Sequence, residues 1–240
     1  METNEIYDMT LKTPFNMIIS GSSGSGKTQK LCKILRYRDI LFNNTTSNIF
    51  FFFNEWQTAY TELKKLIPVT TFIKGIPTQE KLLDIISGDE LGKYEKQPHQ
   101  LLIFDDLVSE IQDDLMVKCF TVFGHHKNVS IILVTQALFN PGVNKFSVLQ
   151  QNAHYLLFCK NPRDNSKIIY LAKQVSPYDI NWVVKAFQDA TRYPYSYIFF
   201  DFMQDTPDKL RLCSNTFSRS APNENLCSTK SGISYTNHSI

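Results

Sequence analysis

The chain has only nine glycines in 240 residues, and three of them, Gly21, Gly24 and Gly26, lie within "GSSGSGKT" at 21–28. An apolar run, "FNMIIS" (15–20), comes directly before this stretch, and the helix-like "KLCKIL" (30–35) comes after it. The spacing is GxxxxGK[ST], the phosphate-binding P-loop, and it requires a strand, a tight loop and a helix in that order. Successive backbone N–H groups of such a loop point inward and form an anion nest at the helix N-terminus. Glycines reach the dihedrals this needs and leave room for phosphate oxygens. A flexible Gly/Ser linker would need neither flank. Gly21, Ser22, Ser23, Gly24, Ser25, Gly26, Lys27 and Thr28 are therefore expected to cradle the phosphates of a nucleotide. Lys27 should reach the β- and γ-phosphates, and the Thr28 hydroxyl should ligate Mg²⁺.

A P-loop needs a second, acidic site. "LLIFDD" (101–106) ends an apolar run in two aspartates. Asp105 is the expected Mg²⁺ residue, through water, and Asp106 the group that orients or deprotonates the attacking water. The next apolar run, "SIILVT" (130–135), is followed by Gln136. As a polar sensor, Gln136 could hydrogen-bond the γ-phosphate or its attacking water.

The rest of the chain supports a matching architecture. Continuous apolar runs at 15–20, 48–54, 69–73, 100–105, 130–135, 154–159 and 195–202 read as strands covered on both faces. Helical periodicity falls between them, at Lys27–Tyr37, Ala59–Leu66, Thr78–Ile86, Ile111–Phe123, Asn165–Gln174 and Pro177–Ala190. Thr78 opens one helix, and Ser176 as cap with Pro177 in the first turn should open another. Alternating strands and helices imply an α/β fold, a P-loop NTPase with a mainly parallel central sheet flanked by helices. Around "DTPD" (205–208) two strand-like segments read as a C-terminal β-hairpin at the sheet edge. The expected division is an N-terminal extension at 1–9, one ATPase domain at 10–215 and a disordered polar tail at 216–240.

Composition mainly excludes. A net charge of +2 gives no bulk electrostatic case for nucleic-acid binding, so any DNA contact must come from a local patch or a ring of subunits. Lys64, Lys65, Lys93 and Lys96 read as solvated faces, and the adjacent His125 and His126 as polar loop residues. Cys32, Cys119, Cys159, Cys213 and Cys227 have no zinc spacing and read as reduced intracellular thiols. The first residues lack the pattern of a signal peptide, and no apolar run approaches the ~18 residues of a membrane span.

Beyond the P-loop, "LLIFDDL", "GHHKNVSIILVTQALF", "NAHYLLFCKNPRD" and "YPYSYIFFDFMQDTPDKLRL" follow in order across residues 15–215. Together these segments resemble the poxvirus-type genome-packaging ATPases of the FtsK/HerA superfamily, most closely the versions in Polinton/Maverick elements and virophages. The resemblance implies a homo-oligomeric ring, a hexamer or pentamer, that hydrolyses ATP to drive double-stranded DNA into a preformed capsid. It implies capsid proteins as partners, no membrane, and a place in the viral factory or nucleus of an infected cell or with the virion. It makes Asp105 and Asp106 the Walker B acids and Gln136 the sensor, with an additional strand between the P-loop and Walker B strands. Many superfamily members carry Asp-Glu where this chain has Asp105-Asp106, and relatives often carry Arg at Lys127. Motors of this kind fire across subunit interfaces; Arg163 in "KNPRD" stands where such a trans-acting finger could sit, and could equally be a surface arginine.

Other readings remain open at this stage. A nucleotide or small-molecule kinase shares the P-loop but needs a cluster of lid arginines, which this chain lacks. A GTPase would need an acid at the fourth position of "NKFS" (144–147). An ATP-binding assembly component without motor activity would have no use for a water-activating acid. Motifs for hydrolysis do not name the cargo.

Overall fold

Apolar runs too continuous for a half-exposed sheet must be covered on both faces, and the computed structural model of the chain shows how. It describes residues 10–87, 98–107, 113–123, 127–136, 138, 146–163, 165–214 and 233–234. The strands are β1 (Asn16–Ser20), β2 (Asn48–Phe53), β3 (Thr70–Lys74), β4 (Gln100–Asp105), β5 (Val129–Thr135), β6 (Tyr155–Cys159), β7 (Tyr197–Asp201), β8 (Leu212–Ser214) and β9 (Ile233–Ser234). They form one sheet in the order β3-β2-β4-β5-β1-β6-β7-β8-β9. From β3 to β6 every pairing is parallel, and from β6 to β9 every pairing is antiparallel. The strand expected between the P-loop strand and the acidic strand is β5, which pairs with both β1 and β4.

The helices are α1 (Lys27–Arg36), α2 (Arg38–Leu41), α3 (Thr58–Leu66), α4 (Gln79–Ser87), α5 (Asp113–Lys118), α6 (Phe146–Gln151), α7 (Ser166–Val175) and α8 (Ile180–Ala190). The two-residue alternation of each strand divides the core. Met17 and Ile19 of β1 pack with Leu31 and Leu35 of α1 and Leu63 of α3 on one face. Ile18, between them, joins Leu82 of α4, Leu115 of α5, Ile168 of α7 and Phe187 of α8 on the other.

Several local details depart from the sequence expectations. Asp179, not Ser176, caps α8, its carboxylate accepting from Trp182 N at 3.0 Å, so the helix starts at Ile180 rather than Pro177. Asp179 sits where the first free amides can be met; Ser176 lies one turn too early. Thr78 does open α4, its hydroxyl accepting from Lys81 N at 3.3 Å. Among the described residues of the helix expected at 111–123, Asp113–Lys118 is α-helical and Cys119–Phe123 continues as a π-helical turn. Buried Asn16 donates to the Phe120 carbonyl there at 2.7 Å. The β7–β8 hairpin is present, but β9 lies outside it, pairing Ser234 with Cys213 and Ile233 with Ser214. Those two residues fall within the stretch read as a disordered tail; they take up edge groups that β8 would otherwise leave unpaired. His125, His126, Lys93, Lys96 and Cys227 lie outside the described residues.

Candidate nucleotide-binding site

The sheet order determines which strand ends meet. Ser20 at the end of β1 pairs with Thr135 at the end of β5, and Asp105 at the end of β4 pairs with Val134. The next residues of each strand therefore converge. Gly21 N donates to Thr135 O at 3.2 Å and Asp106 N to Val134 O at 3.3 Å. Gln136 then donates through Nε2 to both Asp106 carboxylate oxygens, at 3.0 and 3.1 Å. Asp106 takes a left-handed backbone, φ 57°, which an aspartate tolerates better than bulky residues do.

The loop itself shows why glycines are required at two kinds of position. Gly24 and Gly26 have φ of 75° and 87°. At Gly21 the constraint is space: a Cβ there would lie 2.6 Å from both Cys159 Cβ and Ser25 Oγ. No side chain caps α1, and its first turn lines the cavity described below, as an anion nest requires.

Lys27 is buried at 9% exposure and donates to the loop's own carbonyls, Gly21 O at 2.8 Å and Ser22 O at 3.0 Å. Burial pulls its pKa down, while nearby Asp106 and Asp105 favour the charged form. Across from it, Asp105 is 2% exposed. Its Oδ2 accepts from the Tyr60 hydroxyl at 2.7 Å and from Thr28 Oγ1 at 3.3 Å. Burial pushes the Asp105 carboxyl above its ordinary range, and these two hydrogen bonds oppose that shift. Thr28 and Asp105 thus present hard oxygen donors side by side, the donor type that magnesium takes. A buried carboxylate whose nearby lysine gives its hydrogen bonds to loop carbonyls suits a bound cation.

These groups open onto one cavity of about 520 Å³, lined by Ser23, Gly24, Gly26, Lys27 and Thr28 from the loop, and by Asp105, Asp106 and Gln136 from the strand ends. Gln57, Gln29, Lys30 and Tyr195 complete the lining. Of the residues expected from the sequence to act on a triphosphate, Ser23, Gly24, Gly26, Lys27, Thr28, Asp105, Asp106 and Gln136 line this cavity; Gly21, Ser22 and Ser25 belong to the same loop but not to the lining, and Arg163 is not part of it. Arg163 is exposed in the turn between β6 and α7, where its N–H donates to Asn161 Oδ1 at 3.1 Å. Lys127 precedes β5 and so stands at the opposite end of the sheet from the loop. Lys64 and Lys65 are exposed.

Sequence reasoning missed Tyr60 and Tyr195. Tyr60 falls at core spacing with Leu63 on α3, so its pattern signals packing alone. Tyr195 sits in "YPYSY", where nothing marks one tyrosine above the others.

Residues 3–219 match the family model described as Poxvirus A32 protein. The chain belongs to that family. Among curated relatives, it is 30% identical over 146 residues to DNA packaging protein OPG160 of Variola virus, covering 56% of this chain and 50% of that protein. It is 30% identical over 137 residues to DNA packaging protein OPG160 of Vaccinia virus (strain Copenhagen), covering 52% and 47%. The chain thus spans about half the length of the curated relatives it matches. Its fold is similar to that of the genome packaging NTPase B204 from Sulfolobus turreted icosahedral virus 2 in complex with AMPPCP. The TM-score is 0.51 at 13% identity, over 80% of this chain and 94% of that one. At that identity the likeness establishes the fold, that of a P-loop NTPase, which this A32 family member shares.

Proposed function

We propose that this A32 family member is an ATP-hydrolysing motor that packages double-stranded DNA into a preformed capsid as a homo-oligomeric ring. One observation carries the catalytic part of this reading. A single cavity gathers a P-loop lysine, a Thr–Asp pair of oxygen donors, and a second aspartate held by a strand-end glutamine. The DNA cargo rests on the family and on relatives whose names describe DNA packaging.

In this reading the amides of residues 21–28 and the Lys27 ammonium bind the triphosphate. Lys27 leaves its loop carbonyls and gives the same donors to phosphate oxygens. Thr28 and Asp105 hold Mg²⁺, which when bound offsets charge on the phosphate tail. Asp106 accepts a hydrogen bond from the attacking water and Gln136 fixes the rotamer of Asp106. Water oxygen bonds to the γ-phosphorus as the bond to the β–γ bridging oxygen breaks, yielding ADP and phosphate. The proton leaves toward Asp106. Arg163, exposed on the same chain, reaches the active site of a neighbouring subunit in the ring. Capsid proteins are the remaining partners, and the work takes place inside an infected cell.

The deciding experiment is ATP turnover by the full chain with and without double-stranded DNA, alongside a measurement of assembly size. DNA-stimulated turnover in an oligomer is the expected result. Turnover by a monomer that is indifferent to DNA but requires a phosphate acceptor would replace the motor with a kinase. Nucleotide binding without turnover would leave an assembly component.

A further inference from the structure

The lining of the nucleotide cavity is asymmetric. Its acidic end, Asp105, Asp106 and Gln136, belongs to β4 and β5, on one side of β1. On the other side of β1 lie β6 and then β7. Strand β7 runs antiparallel to β6, with Tyr197 opposite Cys159, so the start of β7 stands at the same sheet end as the P-loop. Tyr195, two residues before that start, is the one aromatic ring among the described lining residues. A triphosphate whose reacting end faces the aspartates must send its nucleoside away from them, toward Gly26, Lys30 and Tyr195.

The Tyr195 side chain is 64% exposed, but Tyr193 and Tyr178 are more so, and it is the backbone that sets Tyr195 apart. Its φ is 59°, a left-handed conformation that bulky residues avoid. The loop around it is tied down. Thr191 Oγ1 donates to Phe187 O at 2.7 Å, Lys160 N to Ser196 O at 3.1 Å, and Lys160 Nζ to Arg192 O at 3.3 Å. Strain of this sort persists where the surroundings over-determine it, and it gathers at ligand clamps. Here it sets the ring beside Gly26, where an added Cβ would come within 3.6 Å of Tyr195 Cδ1. The ring is thus held in place next to the phosphate loop before any ligand arrives.

We propose that the Tyr195 ring is the platform on which the base of the bound nucleoside triphosphate stacks. The assignment rests on the nucleotide-binding reading of the P-loop. Stacking on an exposed aromatic face is a large enough interaction to read: removing such a ring weakens binding by roughly tenfold.

The test compares two probes by titration calorimetry of the full chain with Mg²⁺ present: AMPPCP, which has a base, and inorganic tripolyphosphate, which has none. Tyr195→Ala and Tyr195→Asn should each weaken AMPPCP about tenfold and leave tripolyphosphate unchanged. Tyr195→Phe should bind AMPPCP within about twofold of the wild type, because the ring remains. Asparagine tolerates the left-handed backbone, so its variant separates loss of the ring from distortion of the loop. Equal weakening of both probes in the Asn variant, or wild-type AMPPCP affinity in it, would overturn the platform, while wild-type binding of tripolyphosphate would still support the P-loop as the nucleotide site. Wild-type protein that binds neither probe would overturn the nucleotide site and the platform together.

Discussion

The Tyr60 hydroxyl, on α3, donates a 2.7 Å hydrogen bond to Asp105 Oδ2 at the end of β4. Tyr60 is 1% exposed and packs against Phe51, Phe53, Trp56 and Phe72, so the donor is anchored by an aromatic cluster. Burial raises the carboxyl's pKa, and this bond is the first of those opposing it. Tyr60→Phe keeps the ring and removes the donor, so the carboxyl rises further. At a given pH less of it is ionised, and more Mg²⁺ is needed. The acid limb of the turnover–pH profile should move to higher pH, with a stability cost of ~2 kcal/mol for a bond to a buried carboxylate. An unmoved acid limb would reduce Tyr60 to packing.

Asp106→Asn keeps one of the two hydrogen bonds from Gln136, through the amide oxygen, and removes the proton acceptor. Turnover should fall by about 10²-fold or more, in the range of lost general-base catalysis, with nucleotide affinity close to wild type. Binding and turnover measured on one preparation check this. A variant that still turns over ATP at the wild-type rate would transfer the role elsewhere.

Gly21→Ala places a methyl group 2.6 Å from Cys159 Cβ and Ser25 Oγ, between β6 and the loop. Neither neighbour is the free end of a long side chain, so backbone must shift. Overpacking of this kind costs about 1–3 kcal/mol. The melting temperature should fall and tripolyphosphate binding should be lost. Gly24→Ala, with open space around its Cβ position but φ 75°, should be milder.

Arg163→Ala tests the ring. If its guanidinium serves a neighbouring site, ATP binding stays intact and turnover in the assembled oligomer falls by ~10³-fold, the low end for such residues. Assembly size measured in parallel distinguishes a lost finger from a lost interface.

At the opposite end of the sheet, His99 is buried, bonded to Thr46 Oγ1 at 3.1 Å and Ser130 Oγ at 2.7 Å. Burial holds its pKa down at about 4, against 6.5 when solvated. Between those values the unfolded chain takes up a proton that the folded chain refuses. Stability should therefore fall as pH drops from 6.5 toward 4, by up to ~3 kcal/mol from this group. Denaturant unfolding at a series of pH values measures the slope, and His99→Gln should flatten it.

What was legible from residues alone was local. The P-loop can be read because eight consecutive residues carry both its glycines and its lysine. The strands can be read because burial on both faces leaves an unbroken apolar run. Even so, the Ser176-Pro177 pair signalled a helix start that Asp179 takes instead, since cap geometry depends on a single hydrogen bond. The pair at Ile233–Ser234 carries no pattern long enough to mark a strand, and β8 recruits it by edge pairing.

The order of residues along the chain determined the phosphate loop, the acid-ended strand and the alternation that makes an α/β sheet, because each is set by contacts a few positions apart. The family resemblance already implied an extra strand between the P-loop and acidic strands, but only the tertiary structure decided that β5 aligns Gln136 with Asp106, that Tyr60 reaches Asp105, and that Tyr195 stands beside Gly26. Those contacts join residues far apart in sequence, and strand order, which no local preference encodes, is what brings them within a few ångströms.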